Sequence, residues 1–186
     1  MNAIAHAVEA LCAKDKNPII SLMGSEGIAA LARALPWITK QRHDVEARSD
    51  ALYGAWLCGI CLGAVGMALH HKLCHVLGGI FNLPHAEMHT IILPPSVAYS
   101  RSAAGEAMNR VQIALGVTDA ATGLYELAGR LGAPRALKEI GMPTNRLDAA
   151  VDQALANPYW NPRPLERAAL HDLLERAYDG TPPAID

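Results

Sequence analysis

Apolar residues recur at three- and four-residue spacing along almost the whole chain, punctuated by glycine and proline, and no alternating run of β-branched residues is long enough to make a sheet. The pattern predicts an all-α, multi-helix fold, with helices at roughly 2–13, 18–35, 44–68, 70–79, 86–99, 103–115, 119–131, 146–155 and 164–178. Pro18, Pro36, Pro84, Pro134, Pro143 and Pro164 fall at the expected joints, where a missing N–H and a fixed φ are tolerated. The segment NPYWNPRP (157–164) is too rich in proline for a helix interior and reads as an ordered connector laid across the surface; the tail GTPPAID ends the fold.

Residues 51–69, ALYGAWLCGICLGAVGMAL, carry no charge, and Gly59 and Gly63 repeat the small-xxx-small spacing of packed membrane helices. A membrane or interaction module built on this run is one reading. The run is rich in Gly, Ala and Cys rather than Leu and Ile, and no other segment reads as a span, so a helix buried on all sides is the expectation. MNAIAHAVEALCA lacks a basic start and carries His6 and Glu9, which a signal peptide would not, so it reads as a mature helix.

With 186 residues, 51% hydrophobic and 18% charged, the chain has enough apolar material for one substantial core, and a single domain over 1–186 is expected. A net charge of −2 gives no footprint for nucleic acid. Cys12, Cys58, Cys61 and Cys74 sit in apolar helical surroundings without the regular loop spacing of a secreted framework, which points to reduced thiols and a cytoplasmic protein.

The chemistry concentrates in histidine. His70, His71, His75 and His85 crowd ALHHKLCHVLGGIFNLPH, and His71 and His75, four apart, share one helix face. Lys72 is the only formal charge between Asp50 and Glu87, so the imidazoles are expected to face a protected pocket, suited to proton transfer or metal ligation. Asn2 and His6, also four apart, can be presented toward the same pocket from the first helix. Cys58, Cys61, His71 and His75 form C-x2-C-x9-H-x3-H, but the middle spacer is short for a zinc finger and no hairpin separates the cysteines, so core cysteines are expected there.

MNAIAHAVEAL, LYGAWLCGICLG, HHKLCHVLGGIFNLPHAEMHTIILP and the later NPRP closely resemble the C-terminal helical domain of maleylacetate reductases, a branch of the iron-containing alcohol dehydrogenases with the dehydroquinate-synthase-like fold. The resemblance implies the C-terminal half of a two-domain enzyme whose N-terminal dinucleotide-binding domain is absent from this chain. Leu62-Gly63-Ala64-Val65-Gly66 lies in a helical run and fails as a phosphate loop. The implied reaction is NAD(P)H-dependent reduction of the carbon–carbon double bond of maleylacetate to 3-oxoadipate, in aromatic-compound degradation; the domain alone should be inactive, and NADH or NADPH would be held mostly by the missing domain.

In metal-dependent relatives an Asp and three His hold the ion, at positions corresponding to Asn2, His6, His71 and His85, with His75 close to the nicotinamide. Asn2 replaces the anionic ligand, so a metal is expected not to be required. The resemblance assigns catalysis to His75, His71, His6 and His85, nicotinamide contact to His75, and substrate contacts to Lys72, His89 and Asn2. Lys72 points about 100° away from His71 on a helix, so bulk solvent competes with the pocket for it. A metal-dependent alcohol dehydrogenase domain, with His6, His71 and His85 as ligands, is the alternative. A small dicarboxylate, the N-terminal domain and a second copy of the chain are the expected partners, with neither nucleic acid nor membrane. Pro95 and Ser100-Arg101 depart from the pattern of close relatives and bear on local helix geometry.

Overall fold

The computed structural model describes residues 1–157 and 159–183, and these contain nine α-helices and no strand. They are α1 (Asn2–Cys12), α2 (Pro18–Ile38), α3 (Val45–Ala64), α4 (Leu69–Phe81), α5 (His85–Ser100), α6 (Gly105–Leu115), α7 (Ala120–Arg130), α8 (Leu147–Leu155) and α9 (Arg167–Asp179). Short 3-10 turns at Arg101–Ala103, Leu137–Ile140 and Thr144–Arg146 complete the described elements.

Local chemistry sets most of the ends. Asn17, Asp44 and Asp119 cap α2, α3 and α7 by accepting the backbone N–H of Ile20, Ala47 and Thr122. Gly116 and Gly180 close α6 and α9 in the left-handed conformation that glycine adopts without strain. Of the prolines expected at joints, Pro36 falls inside a helix instead, and two prolines outside that set also lie within one. Pro36 lies inside α2 and Pro95, with Pro94, inside α5. Near the end of α2 a proline forfeits one backbone hydrogen bond, a loss that the packed helix absorbs.

The uncharged run departs from expectation in three ways. Its helix ends at Ala64 rather than 68, because Val65 turns to extended backbone and the chain bends by 92° into α4. Only one face of α3 is buried, through Ala47, Gly54, Leu57, Cys58 and Cys61, while Leu52, Tyr53 and Trp56 face outward. Gly59 and Gly63 have nothing within 4 Å of where a Cβ would stand; the close helix approach is made by Gly27 and Gly54, whose virtual Cβ atoms meet Cys58 Sγ at 2.8 Å and the Leu31 side chain at 2.9 Å. The segment long and apolar enough by itself to cross a membrane is α2, with mean hydropathy 1.2 and 44% of its most apolar window buried; α3 passes only when joined to α4 across the bend.

Two large hydrophobic clusters and a small third one around Ala10, Ile20 and Cys61 fill the described interior. One joins α4, α5, α8 and α9 around Leu73, Leu77, Ile92, Leu170 and Leu174. The other joins α1, α2, α5, α6 and α7 around Ile4, Leu11, Ile28, Leu93 and Leu124. Helix α5 serves both, so α1 and α4 are held on either side of it and their polar residues are brought together. The connector around 157–164 is ordered where described: Asn161 accepts the Leu69 N–H, and Tyr99 donates to the Pro164 carbonyl. Pro158 and the last residues of the tail, 184–186, lie outside the described residues.

Ile19, Leu22, Leu52, Tyr53 and Trp56 leave an apolar band on α2 and α3 open to solvent. The chain expressed by itself is expected to self-associate, eluting in sizing chromatography at or above twice its 19.8 kDa mass.

Candidate active site

Glu9 organises the site. Its carboxylate is buried and accepts three hydrogen bonds: from the backbone N–H of Ala68 at 3.0 Å, the backbone N–H of His70 at 2.6 Å and His71 Nδ1 at 2.6 Å. Ala68 offers no side-chain cap to α4, so the free N–H groups and positive dipole end of that helix are satisfied from α1 instead. The first turn of α4, which carries the paired histidines, is thereby pinned to α1. Because His71 Nδ1 donates to Glu9, its Nε2 is the nitrogen left for the pocket, and it is buried without a partner.

Around this anchor the histidines converge. The His6 ring stacks on His71 with centroids 5.0 Å apart, and His75 lies 6.4 Å from His71. His89 is 5.4 Å from His71 and 4.2 Å from His85, and Asn2 Nδ2 approaches His85 Nε2 at 3.4 Å. Of the residues expected here, His6, His71, His75, His85, His89 and Asn2 therefore share one neighbourhood. Lys72 is not drawn in: its ammonium lies 5.4 Å over the Tyr159 ring. Cys58 and Cys61 sit in the core, Cys58 with Ile4, Ala7 and Leu31 and Cys61 with Ala10 and Ile20.

The cluster is graded from rim to floor. His75 and His85 are exposed, Asn2 and His6 half-buried, and His71, His89, His70 and Glu9 buried. Beneath His89, His70 Nε2 stands 3.0 Å from His89 Nδ1 and 3.8 Å from Cys74 Sγ. Asn2 Oδ1 and His89 Nε2 join His71 Nε2 as buried atoms without a partner.

Burial sets the proton affinities. It lowers His6 to about 4, with His71 reinforcing the shift, and His89 to about 3, with His85 reinforcing it. It also holds His70 well below the ordinary histidine value. Unfolded imidazoles take their proton near pH 6.5, as ordinary histidines do. Between that pH and the folded values the unfolded chain binds protons that the fold refuses, so the stabilising contribution is complete above about pH 6.5 and is lost as pH falls through about 4 and 3. A thermal melt at pH 4.5 should fall roughly 10 °C or more below one at pH 7.5; equal melts would contradict neutral burial of these rings.

The donor set matters for any ion. His6, His71 and His85 with Asn2 carry no negative charge among them, and the amide nitrogen of Asn2 faces the very nitrogen of His85 that an ion would require. Among the described residues, the group of His, Cys, Asp or Glu whose ligand atoms all lie within 4.8 Å of one another is a different one, His70, Cys74 and His89.

Glu9 was missed by the reading of motifs, where it counted only against a signal peptide. Its signal was present: Asn2, His6 and Glu9 stand at i, i+4 and i+7 and so line one face of α1.

An all-α domain with a cluster of histidines from α1, α4 and α5 is what the comparisons match. Residues 1–178 match the C-terminal part of the Fe-containing alcohol dehydrogenase family, and the chain belongs to that family. It is 58% identical to the maleylacetate reductase of Burkholderia cepacia over 184 residues, 99% of this chain and 52% of that protein. The crystal structure of maleylacetate reductase from Agrobacterium tumefaciens superposes with a TM-score of 0.95 at 52% identity, over 98% of this chain and 52% of that one. An iron-containing alcohol dehydrogenase from Corynebacterium glutamicum follows at TM-score 0.92 and 40% identity, over 97% of this chain and 51% of that one. The chain thus spans about half the length of the relatives it matches.

Proposed function

We propose that this chain is the catalytic helical half of a maleylacetate reductase, which adds hydride and a proton across the double bond of maleylacetate to give 3-oxoadipate. The observation that carries the reading is the convergence of His6, His71, His75, His85 and His89 into one cluster, exposed at His75 and His85, together with 58% identity to a maleylacetate reductase. The nucleotide, NADH or NADPH, is held mainly by the other half of the protein and, when bound, supplies the hydride.

The residues of this chain manage the charge and the proton. Hydride arriving at the carbon β to the ketone leaves an enolate delocalised onto the ketone oxygen, much less basic than the alkoxide formed in alcohol dehydrogenation. Imidazole N–H donors are sufficient for such a charge, and one of them then returns a proton to the carbon next to the ketone. His75, at the exposed rim, takes the position beside the nicotinamide. His71, whose Nδ1 hydrogen is held by Glu9, takes up a proton at its bare Nε2 from solvent or a rim histidine and passes it to the carbon next to the ketone, while the N–H groups of His6 and His85 complete the polar wall. His89 and Asn2 offer hydrogen-bonding groups to the substrate carboxylates, and Lys72, turned to Tyr159, leaves those carboxylates to cations of the other half. A cytoplasmic homo-oligomer fits this reading.

The residues do not fit a tightly held divalent ion, for the reasons of charge and geometry given above, and no step is assigned to one. Asn2→Asp restores the anionic group. Iron or zinc retained after dialysis at neutral pH should then rise from substoichiometric toward one per chain; stoichiometric metal in the parent protein would instead favour an alcohol dehydrogenase. The proposal itself is tested by assaying the full-length, chelator-treated protein for maleylacetate-dependent oxidation of NADH and NADPH. Turnover on both the treated and untreated enzyme is expected, and none on simple alcohols.

A further inference from the structure

We propose that His70, Cys74 and His89 form a binding site for a soft monovalent metal ion of the cuprous type, on the side of His89 facing away from the pocket. The three residues are buried, and their ligand atoms lie within 4.8 Å of one another. His70 and Cys74 share a face of α4 at i and i+4, and His89 comes across from α5, so three donors from two packed helices aim at one point. His70 Nε2 stands 3.0 Å from His89 Nδ1 and 3.8 Å from Cys74 Sγ. Two nitrogens and a sulfur around one ion are separated by about 3.1–3.7 Å when the bonds are near 2.0 and 2.3 Å, so small side-chain adjustments suffice.

Charge selects the ion. A thiolate with a monovalent cation is neutral overall and costs little in an apolar interior, whereas a zinc ion would leave a net positive charge and would want a fourth ligand. Thiolate and imidazole donors in a three-coordinate arrangement suit a cuprous ion. The protons balance. The hydrogen shared between His70 Nε2 and His89 Nδ1 moves to the outer nitrogen of the ring that carries it, and His89 Nε2, unpartnered, is open to receive one. The thiol proton alone leaves the protein, so each ion bound releases one proton. Burial raises the Cys74 thiol well above its ordinary value, which makes binding weaken as pH falls.

The test is anaerobic titration of the full chain with Cu(I) against a coloured cuprous chelator, with proton release and near-ultraviolet thiolate-to-copper absorption followed together. One ion and one proton per chain are expected. Cys74→Ala should bind roughly a hundredfold more weakly with an unchanged helical circular dichroism spectrum, while Cys58→Ala, Cys61→Ala and Cys12→Ala bind like the parent. If Cys74→Ala fails to fold, His89→Leu is expected to give the same loss. Parent-like binding by Cys74→Ala or His89→Leu, loss of binding in Cys58→Ala, or no competition with the chelator by the parent chain would overturn the site.

Discussion

Glu9→Gln is expected to leave a folded protein that has lost most of its turnover. The glutamine fills the same space, but one carboxylate oxygen serves both Ala68 N–H and His71 Nδ1 and the other serves His70 N–H, so either placement of the amide NH2 strands at least one backbone donor and costs roughly 1–3 kcal/mol. Toward His71 the anionic oxygen at 2.6 Å becomes either a neutral amide oxygen or an amide N–H. In the first case the imidazole keeps its tautomer but loses the negative charge that steadies it when Nε2 takes up a proton; in the second it must accept at Nδ1 and carry its hydrogen on Nε2, the tautomer opposite to the one that Glu9 enforces. A reversed tautomer in a comparable dyad costs on the order of 10⁴ in kcat, and a loss of about 10²–10⁴ in kcat with a small change in KM is expected here. Glu9→Ala should behave differently. It strands two backbone N–H groups and one ring N–H, at roughly 1–3 kcal/mol each, so the melting temperature should fall by about 10 °C or more. A Glu9→Gln enzyme with parental kcat would mean that the carboxylate only caps α4.

His75→Ala is the second large effect. His75 is exposed and makes no hydrogen bond to the buried network, so its loss should leave thermal stability nearly unchanged. At the rim, 6.4 Å from His71, it is the residue that the proposed reaction sets beside the nicotinamide. Turnover should fall about a hundredfold or more if it donates a proton or holds the developing charge. His71→Ala is expected to lose both stability and turnover, since it also leaves the Glu9 carboxylate short of a partner. Unaltered kcat in His75→Ala would move proton donation to His71 or His6.

Helix positions were largely legible because apolar spacing and capping residues such as Asn17, Asp44 and Asp119 are local signals. The errors came from tertiary effects. Gly59 and Gly63 have the spacing of a packed interface yet face open space, because which side of α3 meets α2 depends on Gly27, distant in sequence. Pro36 was placed at a joint because the local rule ignores how much packing a helix end already has. In the site, the H-x3-H string and Asn2–His6 pair revealed the imidazoles, since each pair shares a helix face. Lys72 could not be placed by spacing alone, and it went to Tyr159. Glu9 was hidden because its partners, Ala68 and His70, are backbone groups some sixty residues away, and backbone hydrogen bonds leave no motif.

If the histidine cluster directs hydride to a carbon–carbon double bond rather than to a carbonyl, the position of a hydride label in the product shows it. The direct test is to supply the full-length protein with maleylacetate and nicotinamide cofactor carrying deuterium at the transferable position, and to locate the label in the product. Deuterium on the carbon β to the ketone of 3-oxoadipate is predicted; a hydroxy acid labelled at the former carbonyl carbon would contradict it.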